Sequence, residues 1–187
     1  MIRSRLFSVL VLAAAILTTG CGYNRIQTLD EQVNQARGQI ETQLQRRADL
    51  IPNLVETVRG VAAQESLLYT NIANARARLS GAIQSGDVGD MAAANAQLSQ
   101  GLGRLLAIVE AYPELKSSES FLRLQDQLEG TENRIAVSRQ DYNTAVGEYN
   151  TLVRRFPTVI TAKIFGYGSR EYFEAEEGSQ EVPQVQF

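Results

Sequence analysis

The sequence predicts an all-α protein, an antiparallel up-and-down bundle of three to four long helices with the first one kinked at Pro52. Three observations predict it. From Ile26 to Leu79 apolar or small residues recur in steps of mostly three or four, the spacing of a single helix face. A second stripe, from Phe121 to Phe156, is heptad-like and suits antiparallel helix packing. The alternating pattern of strands is missing from the sequence.

Residues 1–20 read as a targeting segment. Arg3 and Arg5 make a basic start, Leu6 to Leu17 an apolar run, and Thr18-Thr19-Gly20-Cys21 follows. The run is shorter than the roughly 20 apolar residues that a bilayer span needs, so the layout is that of a secretory signal. Cys21, the sole cysteine, stands directly after Gly20 and marks a bacterial lipoprotein signal. Lipidated on its sulfur with palmitate-type chains, Cys21 would become the mature N-terminus. Such signals usually carry leucine three places earlier, where Thr18 stands here with Leu17 one further back. Several acyl chains anchor stably, since each buried methylene contributes about 0.8 kcal/mol. The expected location is the bacterial cell envelope, lipid-anchored and facing the periplasm or outside, on either membrane. Gly22 in place of aspartate would permit the outer one under enteric-type sorting.

With the signal go two of the 18 basic residues, so 16 stand against 21 acidic ones and the mature charge is about −5. No basic block interrupts the sequence, so nucleic acid is not an expected partner.

The first helix is expected from near Tyr23 to about Ser80, with Tyr23 and Arg25 close to the lipid headgroups. Its stripe is Ile26, Leu29, Val33, Ala36, Ile40, Leu44, Ala48, Ile51, Val55, Val58, Ala62, Tyr69, Ile72 and Leu79. The phase runs through Pro52 without a slip. Proline inside a helix costs about 3 kcal/mol. A loop, however, would carry glycine or a polar cluster, and neither is present there. The pattern therefore favours a kink over a turn. Arg46, Arg47, Asp49 and Asn53 flank this point, and Asn53 is one turn from Asp49. Either could satisfy the carbonyls freed by Pro52, and the group could pair with Glu132, Asn133 or Arg134 of a returning helix. Docking of a partner is the second reading.

A turn is expected over Gly81–Asp90, then a helix from about Val88 to Tyr112 that Pro113 ends. Gly101-x-Gly103 would let neighbouring backbones approach closely. The third long helix should start at a cap on Ser117 or Ser118. Its stripe is Phe121, Leu124, Leu128, Thr131, Ile135, Tyr142, Ala145, Tyr149, Leu152 and Phe156, and Pro157 stops it. Tyr142-Asn143 and Tyr149-Asn150 repeat at seven residues, with tyrosine as core packing that finds a hydroxyl partner. Residues 159–173 should fold back on the bundle end to cover Ile160, Ile164, Phe165, Tyr172 and Phe173. Residues 174–187 form an acidic tail of disordered composition.

The chain has no histidine, and its one thiol is assigned to lipid, which removes the commonest general base, metal ligands and nucleophile. No phosphate-binding glycine loop or serine elbow is present, and no cofactor is expected. Carboxylates alone could hold a hard cation or act as an acid–base pair. Glu129 and Glu132, three apart, and Asp49 and Glu56, seven apart, are the candidates, with solvated faces as the simpler reading.

Four stretches together resemble the LemA family of bacterial membrane-associated helical proteins. They are Arg46–Val55, Glu110–Lys116, Thr131–Ile135, and the Tyr142-Asn143 and Tyr149-Asn150 pairs ahead of Phe156-Pro157. They follow family order and spacing, placing a LemA-like bundle over residues 21–173. The resemblance implies architecture and location, because the family has no established biochemical activity. The resulting expectation is a lipid-anchored, non-enzymatic interaction or scaffold protein for another envelope protein. The alternatives are a carboxylate-only metal-binding enzyme and a carrier of lipid or another apolar ligand.

Overall fold

A computed structural model describes residues 2–62 and 64–174, with side chains from Gly22 onward. The signal segment's side chains, the Cys21 side chain and the tail beyond Glu174 lie outside the described residues, as do the expectations that fall on them. Six helices are described: α1 (Ile2–Arg59), α2 (Ser66–Ser85), α3 (Val88–Val109), α4 (Pro113–Lys116), α5 (Glu119–Arg154) and α6 (Thr158–Phe165). No strand occurs among the described residues. The fold is all-α.

Pro52 lies inside α1, so the helix continues through it and no turn forms there. The expected stripe is buried: Ile26, Ile40, Leu44, Ala48, Ile51 and Val58 are all at most 1% exposed. Leu54 takes the place predicted for Val55, which is half-buried. A fully buried leucine or isoleucine contributes about 2 kcal/mol, so this stripe carries much of the packing energy.

The first helix does not run on to Ser80. It ends at Arg59, and α2 begins only at Ser66. Gly60, Val61 and Ala62 bond back to Glu56 and Val58 carbonyls, and the buried Tyr69 hydroxyl donates to the Ala62 carbonyl at 2.8 Å. The sequence stripe steps by seven from Ala62 to Tyr69, and the missing turn of apolar residues is where the helix breaks. The fourth rod is therefore α2, not a second half of α1.

The turn placed at Gly81–Asp90 is confined to Gly86 and Asp87, since α2 passes through Gly81. Gly86 takes the left-handed conformation (φ 72°) and its N–H donates to the Ala82 carbonyl. Asp87 caps α3 by accepting from the Asp90 N–H at 2.8 Å. Pro113 opens α4 at its first position, while α3 has already ended at Val109. Ser118 caps α5, its hydroxyl accepting from the Phe121 N–H, and Ser117 bonds back to Pro113 instead.

The α5 stripe drifts from its heptad register. Val146 and Val153 are buried where Ala145 and Leu152 were expected, and those two are only half-buried, like Leu124 and Leu128. The drift is confined to one edge of the face, because Ile135, Tyr142 and Tyr149 stay buried at their heptad spacing. Phe156 falls outside the helix and is 75% exposed.

The chain divides into two compact units. One comprises Met1–Gly38 with Gln140–Glu171, the other Gln39–Arg139 with Tyr172–Phe187. In the first, the described start of α1 packs with the end of α5 and with α6: a Cβ at Gly22 would lie 3.6 Å from Thr158 Cγ2. In the second, α2 and α3 form an antiparallel hairpin, with Ile72 against Gly101 and Arg78 donating to Gln97.

Candidate functional site

Of the residues singled out by sequence, Arg47 and Glu132 form a polar centre in one unit, and Tyr142, Tyr149 and Asn150 belong to a centre in the other. In the second unit the centre is Arg47, on α1 and only 5% exposed. Its NH1 donates to Asn95 Oδ1 at 2.7 Å on α3, and forms an ion pair at 2.7 Å with Glu132 Oε2 on α5. Burial lowers the guanidinium pKa, and the Glu132 carboxylate partly offsets this. A buried guanidinium stays charged, and partners of this kind offset the cost of taking it out of water. The expected pairing with the returning helix is thus made by Glu132, while Asn133 and Arg134 are exposed.

The polar residues next to Pro52 do not repair it. Asn53 does not reach Asp49, which accepts from Gln45 instead. Proline at 52 removes the N–H that would bond the Ala48 carbonyl. Arg76 Nε on α2 supplies that bond at 2.8 Å. Sequence reading missed Arg76, because nothing in its local spacing ties it to a proline on another helix. Arg46, Asp49 and Asn53 are exposed.

The second centre, in the first unit, holds a strap without regular structure that follows α6. Asn150 is its clasp. Its Nδ2 donates to the Arg170 carbonyl at 2.9 Å and its Oδ1 accepts from the Arg170 N–H at 2.8 Å. Tyr142 donates to the Glu171 carbonyl at 2.9 Å. The Arg170 side chain bonds Asp30 Oδ1 at 2.7 Å and lies 6.0 Å from the centre of the buried Tyr149 ring. The hydrogen bond to Asp30 raises the Arg170 pKa, and burial raises those of Tyr142 and Tyr149. Gln27 donates to the Tyr167 hydroxyl and Arg154 to Ser169. The strap covers less than expected: Phe173 is buried, but Ile160, Ile164, Phe165 and Tyr172 are between 40% and 70% exposed.

Two open grooves flank these centres. One, about 480 Å³, lies between α2 and α3 and is lined by Arg78, Gly81, Ser85, Asp90 and Gln97 among others. The other, about 490 Å³, lies between α1 and α5 and includes Arg25, Asn143, Glu148 and Arg155. Asp49, Glu56, Glu129 and Glu132 are exposed and do not meet in one pocket, and Glu132 is paired with Arg47. Among the described residues no three carboxylates group to hold a metal ion. Nor, among them, is any helix long and apolar enough to cross a membrane.

Comparison with known proteins gives a consistent result. The model of the LemA family matches residues 36–187. Two magnetosome proteins of Paramagnetospirillum magneticum, MamQ 1 and MamQ 2, are each 32% identical over 190 residues, covering 89% of this chain and 70% of theirs. Magnetosome protein MamQ of Magnetospirillum gryphiswaldense is 29% identical over 189 residues, with the same coverage.

Proposed function

The chain belongs to the LemA family, and from that premise we propose that it is a membrane-anchored, non-enzymatic scaffold for another protein of the bacterial cell envelope. The observation that carries this reading is where the polar motifs go. Arg47, Tyr142 and Asn150 bond other helices or the strap, and of the carboxylates that could have formed a reaction centre Glu132 pairs with Arg47 while Asp49, Glu56 and Glu129 are exposed and do not converge. Polar groups spent in this way hold a framework; they do not converge on a substrate. The relatives point the same way, being named for a cellular structure, the magnetosome, and not for a reaction.

The anchor is assigned to Cys21. The grooves offer faces on which a partner could sit, and each has charge of both signs, Arg78 with Asp90 in one and Arg25 with Glu148 in the other. The test is photo-crosslinking in living cells from positions 78 and 148. One reproducible envelope protein, lost in Cys21→Ser, is the expected result. Adducts to lipid alone, or none at either position, would overturn the scaffold role. Retention of full acyl labelling in Cys21→Ser would overturn the anchor.

A further inference from the structure

Helix α6 leaves its largest apolar side chains in solvent. Ile164 is 70% exposed, Ile160 49% and Phe165 58%, and Phe156, just before the helix, is 75% exposed. Ile160 and Ile164 are one turn apart and share a face, while Thr161 and Ala162 are buried on the inner side. Single exposed apolar residues are ordinary, but four within ten positions form a patch.

Along the sequence the patch is interspersed with basic residues alone. Between Glu148 and Glu171 the sequence holds Arg154, Arg155, Lys163 and Arg170 and no acidic residue, in a chain that is acidic as a whole. Arg154, Arg155 and Lys163 are exposed, and so is Arg25 of the neighbouring helix. Arg25 lines one groove with Arg155 and Glu148, and Asp30 is occupied by Arg170.

The place of α6 identifies what meets it. Gly22 packs on Thr158, Tyr23 stacks on Phe165 with ring centres 4.7 Å apart, and Tyr23 lies 6.3 Å from Tyr167. Helix α6 is thus fastened to the residues directly after Cys21 and the apolar run Leu6–Leu17. Whatever holds that segment in a bilayer brings α6 to the headgroup layer, where aromatic rings, snorkelling cations and shallow apolar side chains are favoured.

We infer that α6, with Phe156, is a second membrane contact, inserting Ile160 and Ile164 into the interface of an anionic bilayer while Arg155 and Lys163 meet lipid phosphates. Residues 22–27 and α6 would then form one membrane-facing end, seated on lipid in addition to being tethered to it. The inference rests on the membrane reading above, and the test separates the two.

The chain has no tryptophan, so Ile164→Trp introduces a single fluorescent reporter, and Val137→Trp, at an exposed site on α5, gives its control. The full chain is mixed with vesicles of phosphatidylglycerol and phosphatidylethanolamine carrying brominated acyl chains. Pelleting with vesicles reports membrane binding, and bromine quenching reports insertion. Emission from position 164 should shift to the blue and be quenched, while position 137 remains unquenched in the same complexes. Ile160→Ser with Ile164→Ser should weaken vesicle binding about tenfold or more with helix content unchanged. Pelleting without quenching at 164 would overturn the insertion and leave the anchor standing. A blue-shifted emission before lipid is added would also overturn it, by showing another part of the chain over the patch. Failure to pellet would remove both.

Discussion

At residue scale, Pro52 deprives the Ala48 carbonyl of its helical donor, and Arg76 Nε replaces it from α2 at 2.8 Å. An unsatisfied buried carbonyl costs about 1–3 kcal/mol, so Arg76→Met should destabilise by about that much in urea unfolding. In a Pro52→Ala background the carbonyl regains its own N–H, and the same substitution should cost well under half as much. Equal costs in both backgrounds would dissociate Arg76 from the proline. The buried tyrosines make a second prediction, in pH. Burial raises the phenol pKa of Tyr69, Tyr142 and Tyr149 above the unfolded value of about 10. A raised folded pKa means that their stabilisation is whole below pH 10 and is lost as pH rises through the folded values. Helix content should hold to about pH 10 and then fall together with the appearance of tyrosinate absorbance, later in Tyr142→Phe than its lost hydrogen bond alone would suggest. Part of this chemistry was legible beforehand. The group around Arg47 was expected to pair with Glu132, Asn133 or Arg134, of which Arg47 takes Glu132, and Tyr142 was expected to bury its ring and find a partner for its hydroxyl. Arg76 was not, because a long flexible side chain carries no register of its own.

Among elements, α3 offers the sharpest contrast. A Cβ at Gly101 would meet Ile72 Cγ1 at 3.0 Å, whereas one at Gly103 meets nothing within 4 Å. Gly101→Ala should cost about 1–3 kcal/mol by crowding α2, and Gly103→Ala should gain up to about 1 kcal/mol of helix propensity. Thermal unfolding of the two variants should move in opposite directions. Their spacing marked both glycines alike as sites of close approach, and only the neighbouring helix tells them apart. The same limit explains the break after Arg59. Ala62 and Tyr69 are both buried, so the stripe looked continuous although the helix was not. Phase reports which face is inward, but a chain can leave a helix and return to the same face. The α5 drift to Val146 and Val153 is a smaller case, in which the heptad positions Ile135, Tyr142 and Tyr149 hold and only one edge of the buried face differs.

For the whole molecule, the all-α architecture was legible because its evidence is long-range and repeated many times. The division into two units was not, since α1 and α5 each enter both and no loop marks the boundary. One unit is nearly contiguous, Gln39–Arg139, and the other is built from the chain's start and its late segment Gln140–Glu171. A fragment spanning residues 39–139 should keep cooperative helical unfolding by circular dichroism. A fragment ending at Gly38 should be unstructured alone, since isolated helices of modest length are marginal in water. The discontinuous unit also imposes an order in time. A chain emerging from the ribosome or a membrane pore exposes Ile26, Leu29, Val33 and Ala36 long before Tyr149 and Val153 exist to cover them. During that interval the contiguous unit can close, while the segment nearest the N-terminus waits with an uncovered apolar face. The last clasp to form is the pair of hydrogen bonds between Asn150 and the Arg170 backbone. It makes the arrival of the strap the event that closes the first unit.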